Sequence, residues 1–190
     1  MKLKVPMLTA LFLIAIASAS GLVSGSFLDS SVAKIEDGVM KEEGKMIPIY
    51  NYKTKSLEEM KTVVKTDEEW RATLTDEQYH ILREEGTERP FTHELLKNKK
   101  KGVYKSAASG VALFHSDHKF DSGTGWPSFY DIIATENVEL REDKSLFATR
   151  IEVVDKVSGS HLGHVFKDGP QPTGLRYCIN GAALVFEEIE

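Results

Sequence analysis

Cys178 is the only cysteine in this chain of 190 residues. A disulfide needs two thiols, and a thiolate-based zinc site needs several cysteines. An intramolecular disulfide framework and every multi-cysteine zinc site are therefore excluded. The fold must be held together by packing and hydrogen bonding, and the lone thiol itself needs an explanation.

The composition is that of a soluble globular protein. Hydrophobic residues make up 41 % of the chain and charged residues 28 %, which excludes a fibrous repeat, a wholly disordered chain and a multispan membrane protein. Lys and Arg number 24 against 29 Asp and Glu, a formal net charge of -5. Because phosphate contacts need clustered positive charge, we expect no nucleic-acid partner, and we interpret residues 97–101 (KNKKK) as a solvated loop.

Residues 1–19 have the pattern of a secretory signal peptide. Two lysines precede an apolar run from Met7 to Ala17, and Ala17-Ser18-Ala19 is a small-residue cleavage pattern. The run is shorter than the ~20 residues that cross a bilayer, so we expect no stable membrane span in the mature form. This predicts a periplasmic or extracellular protein of the secretory pathway. The alternatives are an uncleaved signal that anchors the chain to the membrane, or residence in the ER lumen.

We interpret residues 20–66 as an irregular N-terminal extension and residues 67–190 as the folded domain. Thr66 and Thr75 each precede acidic residues, a pattern that predicts the N-caps of two helices, the second ending near Gly86.

After Gly102 the sequence changes to short runs rich in β-forming residues. The predicted strands are residues 111–114, 138–141, 145–154 and 181–186, with residues 142–144 as a hairpin loop. No alternation of strands and helices follows residue 102. We therefore predict an α+β fold, mainly β, with antiparallel sheet and short N-terminal helices.

The context of Cys178 permits two interpretations. In an extended strand Arg176, Cys178 and Asn180 share one face. A neighbouring guanidinium favours the thiolate, which is the nucleophilic form of cysteine. Free cysteine is also common as a small buried side chain, so the local sequence leaves both readings open.

His161 and His164 form the second candidate group. They could transfer protons, bind a metal or be structural, but a metal is disfavoured because a tetrahedral site needs four ligands. In a regular strand the two rings would face opposite sides, and a bulge at Gly163 would bring them together. Trp126, in a glycine-flanked loop, is either an aromatic plug or the apolar wall of a substrate pocket.

Four segments together resemble the B-type methionine sulfoxide reductases. They are TERPF (87–91), KFDSGTGWPSF (119–129), HLGHVFKDGPQPTG (161–174) and LRYCIN (175–180), in the order and spacing of that family. The resemblance covers residues from about 67 to 187. It implies two antiparallel sheets with short N-terminal helices. It also implies thiol-dependent reduction of the R epimer of methionine sulfoxide in proteins or peptides, a repair of oxidative damage.

The resemblance also implies roles for the candidate residues. Cys178 would be the nucleophile that becomes a sulfenic acid, Trp126 the wall against the substrate methyl group, and Arg176 the cation beside the thiol. The residues that position substrate and water and assist proton delivery would be His161, His164 and Asn180.

Two departures from the family affect cofactors and partners. Many members bind structural zinc through two Cys-x-x-Cys pairs, whereas the corresponding positions here are Ser106, Ser109, Asp155 and Ser158. We therefore expect no zinc and no other bound cofactor. Thr124 occupies the position of a common resolving cysteine, so reduction of Cys178 would need an external thiol, either a thioredoxin-like protein or a small thiol.

We expect the protein to be a monomer. Other functions remain open at this point. Trp126 could serve a binding module that recognises oxidised methionine without turnover. A peroxide-scavenging thiol enzyme would use the lone cysteine but gives no role to Trp126. A metal-binding chaperone is opposed by the missing thiols.

Overall fold

A computed structural model describes residues 44–144 and 149–189, together with the backbone of two short paired strands, β1 (Ile35–Glu36) and β2 (Val39–Met40). The predicted signal peptide at residues 1–19 lies outside the described residues. The other strands are β3 (Met46–Asn51), β4 (Ser56–Lys61), β5 (Gly102–Ser106), β6 (Ala112–His115), β7 (Lys119–Phe120), β8 (Ser128–Phe129), β9 (Val138–Asp143), β10 (Arg150–Asp155), β11 (Ser160–Phe166), β12 (Arg176–Ile179) and β13 (Leu184–Glu188). The helices are α1 (Asp67–Thr73) and α2 (Asp76–Glu84), with single 3₁₀ turns at Glu94–Leu96, Ser116–His118 and Gly181–Ala183.

The strands form two main antiparallel sheets. One has six strands in the order β7-β8-β12-β11-β10-β9, and the other has three in the order β13-β5-β6. The strands β3 and β4 form a separate two-stranded sheet. The prediction of a mainly β, α+β fold with antiparallel sheets and short N-terminal helices is confirmed.

Both helices begin where the threonine signals predicted. The Thr66 hydroxyl accepts a hydrogen bond from Glu69 N and the Glu69 carboxylate accepts one from Thr66 N, which completes a capping box. Thr75 and Gln78 repeat the arrangement at the start of α2. No helix in the described part of the chain is long and apolar enough to cross a membrane.

The expectation of an irregular stretch before residue 67 is wrong for residues 46–61, which form the β3–β4 hairpin. Ile49 on β3 is buried in the main core. The Asn137 side chain then binds the backbone of Tyr50, accepting from its N–H at 2.8 Å and donating to its C=O at 3.0 Å. The alternating pattern was hidden because every residue of β4 is exposed and the strand carries charged side chains.

Aromatic side chains join the two main sheets. Phe114 on β6 stacks on Phe129 of β8 with ring centroids 4.4 Å apart, and Tyr104 of β5 meets Phe129 edge-on at 4.9 Å. Phe114 also contacts Tyr177 on β12 at 5.8 Å. These rings are buried. They fix the inner face of β8 and β12, so the opposite face of β12 is free to carry polar and reactive side chains.

Candidate active site

Cys178 lies near the centre of the six-stranded sheet. Its strand β12 runs between β8 and β11, where Cys178 is opposite Ser128 on one side and His164 on the other. Side chains of directly opposed residues lie on the same face, with Cβ atoms about 4.5–5.5 Å apart. Tyr177 and Ile179 are buried on the other face, as the predicted alternation requires.

A cavity of about 140 Å³ opens beside the thiol. Four of the six predicted site residues line it: Cys178, His164, Asn180 and Trp126. The rest of its lining consists of Thr87, Arg150, Gly163 and Phe166. His161 and Arg176 are not among the residues that line this cavity.

A β-bulge brings the two histidines together, as predicted. Val153 of β10 pairs with Gly163, whereas the next residue pairs with His161, so β11 carries one extra residue at this point. The ring centroids of His161 and His164 are 5.3 Å apart. Gly163 is required, because a Cβ there would lie 2.1 Å from the carbonyl oxygen of Cys178.

Each histidine is paired with a carboxylate that the sequence analysis missed. Nδ1 of the buried His161 is 2.7 Å from Glu152 Oε1, and Nε2 of His164 is 2.8 Å from Asp143 Oδ2. Asp143 was predicted to lie in a hairpin loop, but β9 continues through it and pairs it with Arg150, whose Nη2 also donates to Asp143 Oδ2 at 2.6 Å. For Glu152 the sequence did contain a signal, because polar and apolar residues alternate from Arg150 to Val153 on β10.

The surroundings of His164 keep its imidazole neutral. Burial lowers the pKa of His164 below its ordinary value of 6.5, and the positive charge of Arg150 lowers it further. The hydrogen bond to Asp143 raises it but does not offset the burial. At neutral pH this ring is therefore a proton acceptor.

Burial also dominates the ionisation of the thiol. It raises the pKa of Cys178 above 9.0, although hydrogen bonds to Thr124 and Ser128 and the charge of Arg176 all act in the opposite direction. Arg176 does favour the thiolate, as the sequence predicts. Its effect on the pKa of Cys178 is smaller than the opposite effect of burial. In this environment Cys178 is a thiol at neutral pH and needs a base to become nucleophilic.

Arg176 is fixed beside the thiol by two contacts. Its guanidinium donates two parallel hydrogen bonds of 2.9 Å to Asp168, which raise the pKa of Arg176. Its Cζ lies 4.4 Å from the ring centroid of Phe166, one of the cavity residues. Arginine cannot give up its proton, so its contribution here is electrostatic and steric.

Glu88 connects the pocket walls. Its backbone N–H donates to Asn180 Oδ1 and its C=O accepts from Trp126 Nε1, both at 3.1 Å. Its buried carboxylate accepts from the N–H groups of Gly181 and Ala182 at 2.7 and 2.8 Å. Glu88 lies within the TERPF segment, but the sequence alone gives it no role, because none of these contacts is local in sequence.

The four positions that correspond to zinc ligands in the family do not fit a metal. The fully buried Asp155 accepts hydrogen bonds from the hydroxyls of Ser106 at 2.6 Å and Ser158 at 2.5 Å. Ser109 donates its N–H to Ser106 Oγ. These groups satisfy one another and offer no thiolate. Within residues 44–144 and 149–189, no cluster of three or more His, Cys, Asp or Glu is arranged to hold a metal ion.

Comparison with known proteins places this site in a wider group. The SelR domain family model matches residues 74–188. The peptide methionine sulfoxide reductase MsrB of Methanosarcina barkeri is 62 % identical over 130 residues, which cover 68 % of this chain and 92 % of that protein. The MsrB of Methanosarcina mazei is 59 % identical over 128 residues (67 % and 91 %), and that of Leptospira interrogans is 53 % identical over 126 residues (66 % and 96 %).

Proposed function

Because this chain belongs to the SelR domain family of methionine sulfoxide reductases, it is an oxidoreductase that returns methionine sulfoxide to methionine, and we propose that it acts on the R epimer through a sulfenic acid on Cys178. The observation that supports this proposal is the pairing of Cys178 directly opposite His164 on the neighbouring strand. It places the thiol in the same cavity as an imidazole with a lowered pKa. Oxidised proteins and peptides are the expected substrates.

The chemistry begins with a proton transfer inside the site. Neutral His164 accepts the Cys178 proton on the nitrogen that Asp143 leaves free. The thiolate attacks the sulfoxide sulfur while the imidazolium returns the proton to the sulfoxide oxygen. The attack forms a sulfur–sulfur bond. This bond and the substrate sulfur–oxygen bond then break as the hydroxyl moves to the Cys178 sulfur, so methionine leaves as the thioether and Cys178 is left as a sulfenic acid. Two electrons pass from Cys178 to the substrate sulfur.

Fixed walls around the sulfoxide support selection of one epimer. Trp126 is held by its hydrogen bond to Glu88 and presents an apolar surface to the substrate methyl group. Asn180 uses Oδ1 and one N–H in bonds to Glu88 N and the Leu162 carbonyl, which leaves its second N–H for an acceptor in the cavity. Only one arrangement of methyl group, oxygen and lone pair meets both walls while the sulfur faces Cys178.

Regeneration of Cys178 requires a thiol from outside the chain. No second cysteine exists to form an intramolecular disulfide. One external thiol condenses with the sulfenic acid to release water and form a mixed disulfide, and a second thiol releases Cys178. A thioredoxin-like protein or a small thiol would serve, without a bound cofactor. We also propose that the protein works as a monomer, exported from the cytoplasm by its N-terminal leader.

Turnover of a methionine-sulfoxide peptide, with its two epimers resolved and dithiothreitol as reductant, tests this function. We expect consumption of the R epimer alone by the unaltered protein and no consumption by Cys178→Ser. Lys167→Ala, at an exposed position after β11, is the matched control and should retain full activity.

Mass spectrometry of the protein after one addition of substrate without reductant tests the intermediate. The sulfenic acid, trapped by dimedone on Cys178, should appear in a stoichiometry of one per chain. Consumption of the S epimer, or full activity in Cys178→Ser, would contradict the proposal. Peptide binding without turnover would identify a recognition module instead.

A further inference from the structure

Three hydroxyl groups form a continuous chain that starts at the thiol. Thr124 Oγ1 lies 3.7 Å from Cys178 Sγ and 2.8 Å from Ser122 Oγ. Ser122 Oγ lies 2.7 Å from Ser128 Oγ, and the Ser128 hydroxyl donates to the backbone carbonyl of Trp126 at 3.1 Å. The chain therefore joins the reactive sulfur to the residue that forms the pocket wall.

The bond from Ser128 to the Trp126 carbonyl is consistent with one direction for the other hydrogen bonds in the chain. A hydroxyl has one proton to donate, and that of Ser128 goes to the Trp126 carbonyl. Ser128 must then accept from Ser122, and Ser122 must accept from Thr124. The Thr124 oxygen is left to accept the S–H of Cys178. With these donor directions, the hydrogen bonds of the chain favour the neutral thiol over the thiolate.

We propose that Thr124, Ser122 and Ser128 act as a reversible hydrogen-bond chain, in which ionisation of Cys178 reverses the donors and releases the carbonyl of Trp126. A thiolate can only accept hydrogen bonds, so Thr124 must turn its proton toward the sulfur. Ser122 then donates to Thr124, and Ser128 donates within the cluster rather than to Trp126. The inference rests on the proposed role of Cys178 as nucleophile.

The charged groups around the sulfur act in addition to this chain. His164 faces Cys178 from β11, Arg150 lines the same cavity from β10, and Arg176 flanks it on β12. Asp143 and Asp168 neutralise the two arginines through ion pairs. None of these groups contacts the hydroxyl chain in the described structure, so changes within the chain leave them in place.

The reversal predicts opposite effects from two neighbouring substitutions. Thr124→Val keeps the shape of the side chain but removes the hydroxyl that lies 3.7 Å from the sulfur, so the pKa of Cys178 should rise by about one unit. Ser122→Ala removes the acceptor that holds the Thr124 proton away from the sulfur. Thr124 can then donate to the thiolate without any change of direction in the other hydrogen bonds. The pKa of Cys178 should therefore fall by about half a unit.

The experiment is the pH dependence of alkylation by iodoacetamide, which reports the thiolate fraction directly because Cys178 is the only cysteine. Purified protein is compared with Thr124→Val, Ser122→Ala and Thr124→Ser, each first shown to melt cooperatively. Thr124→Ser keeps the hydroxyl and should titrate like the unaltered protein.

Two results would overturn the proposal. An unchanged pKa in Thr124→Val would mean that this hydroxyl does not stabilise the thiolate. An unchanged or raised pKa of Cys178 in Ser122→Ala would mean that Thr124 donates to the sulfur independently of Ser122 and Ser128. Because alkylation does not depend on turnover, the predicted shifts in an enzyme that fails to reduce the sulfoxide would support the chain while rejecting the proposed function.

Discussion

Nε2 of His164 on β11 lies 2.8 Å from Oδ2 of Asp143 on β9, so the two side chains meet across the intervening strand β10. The same oxygen accepts from Arg150 on β10. In the neutral imidazole, donation from Nε2 to this carboxylate leaves Nδ1 as the only acceptor. The pair of Asp143 and His164 thus sets both the tautomer of the ring and its readiness to accept a proton.

Replacement of this carboxylate should change the pH dependence of turnover. In Asp143→Asn the carboxylate that raises the pKa of His164 is lost, so the already lowered pKa falls further. Activity disappears as pH falls through that pKa, because protonated His164 cannot accept the thiol proton. The acid limb of kcat/KM should therefore move to lower pH by about one unit.

The control for this variant is Glu142→Gln, an exposed neighbour on β9 that pairs with Lys144. Its acid limb should coincide with that of the unaltered protein. An acid limb in Asp143→Asn that stays in place would show that a group other than His164 accepts the proton.

A methyl group added at Gly163 should disrupt the site and the sheet together. In Gly163→Ala the Cβ would lie 2.1 Å from the Cys178 carbonyl oxygen, at the contact between β11 and β12. We expect a loss of more than about 3 kcal/mol in the free energy of unfolding, together with loss of turnover. Urea denaturation measures the first quantity.

Gly110→Ala separates this steric effect from backbone strain. Gly110 has a φ of 76°, and nothing lies within 4 Å of an added Cβ. A left-handed alanine costs about 1–2 kcal/mol, so this variant should be only mildly destabilised and fully active. Equal losses in the two variants would argue against the close approach of the strands.

Removal of the Glu88 carboxylate should loosen the pocket walls. Glu88→Ala leaves the N–H groups of Gly181 and Ala182 without their acceptor, which should cost about 3 kcal/mol of unfolding free energy. Because the Glu88 backbone also binds Trp126 and Asn180, KM for the peptide should rise. Glu94→Ala, an exposed carboxylate, is the control. A changed stability with an unchanged KM would separate Glu88 from the pocket.

The buried carboxylate of Asp155 should stabilise the fold without metal. Asp155→Ala leaves the hydroxyls of Ser106 and Ser158 without an acceptor, and we expect a loss of about 3 kcal/mol. Thermal melting of the unaltered protein with and without EDTA should give the same Tm. A lower Tm after chelation would reveal a stabilising metal, and Asp117→Ala at the surface provides the control for charge removal.

Features that depend on residues close together in the chain could be predicted from the sequence. Thr66 and Thr75 act on groups three residues away, and the bulge depends on a glycine between two histidines, so local patterns were sufficient. Asp143 and Glu152 were missed because their partners are set by strand register. The predicted strand ended at residue 141, two residues before the end of β9, which placed Asp143 in a loop.

Glu88 and the hydroxyl chain illustrate a second limit of the sequence. The contacts of Glu88 lie 38 to 94 residues away, and Thr124 meets Cys178 over a separation of 54 residues. Such contacts follow from the packing of the two main sheets rather than from any residue pattern. The raised pKa of Cys178 could not be predicted for the same reason, because the burial that raises it is a property of the fold.

The position of β12 between β8 and β11 has a consequence for local opening. Backbone amides at a sheet centre exchange their hydrogens slowly, whereas those of peripheral elements exchange through small fluctuations. The amide of Ile179 donates to the Pro127 carbonyl and that of Asn180 to the Leu162 carbonyl, so the strand is tied to both neighbours. We expect its protection in deuterated solvent to approach the global limit, while the β3–β4 hairpin exchanges earlier. Cys178 is then a reactive group carried by the part of the protein that opens last.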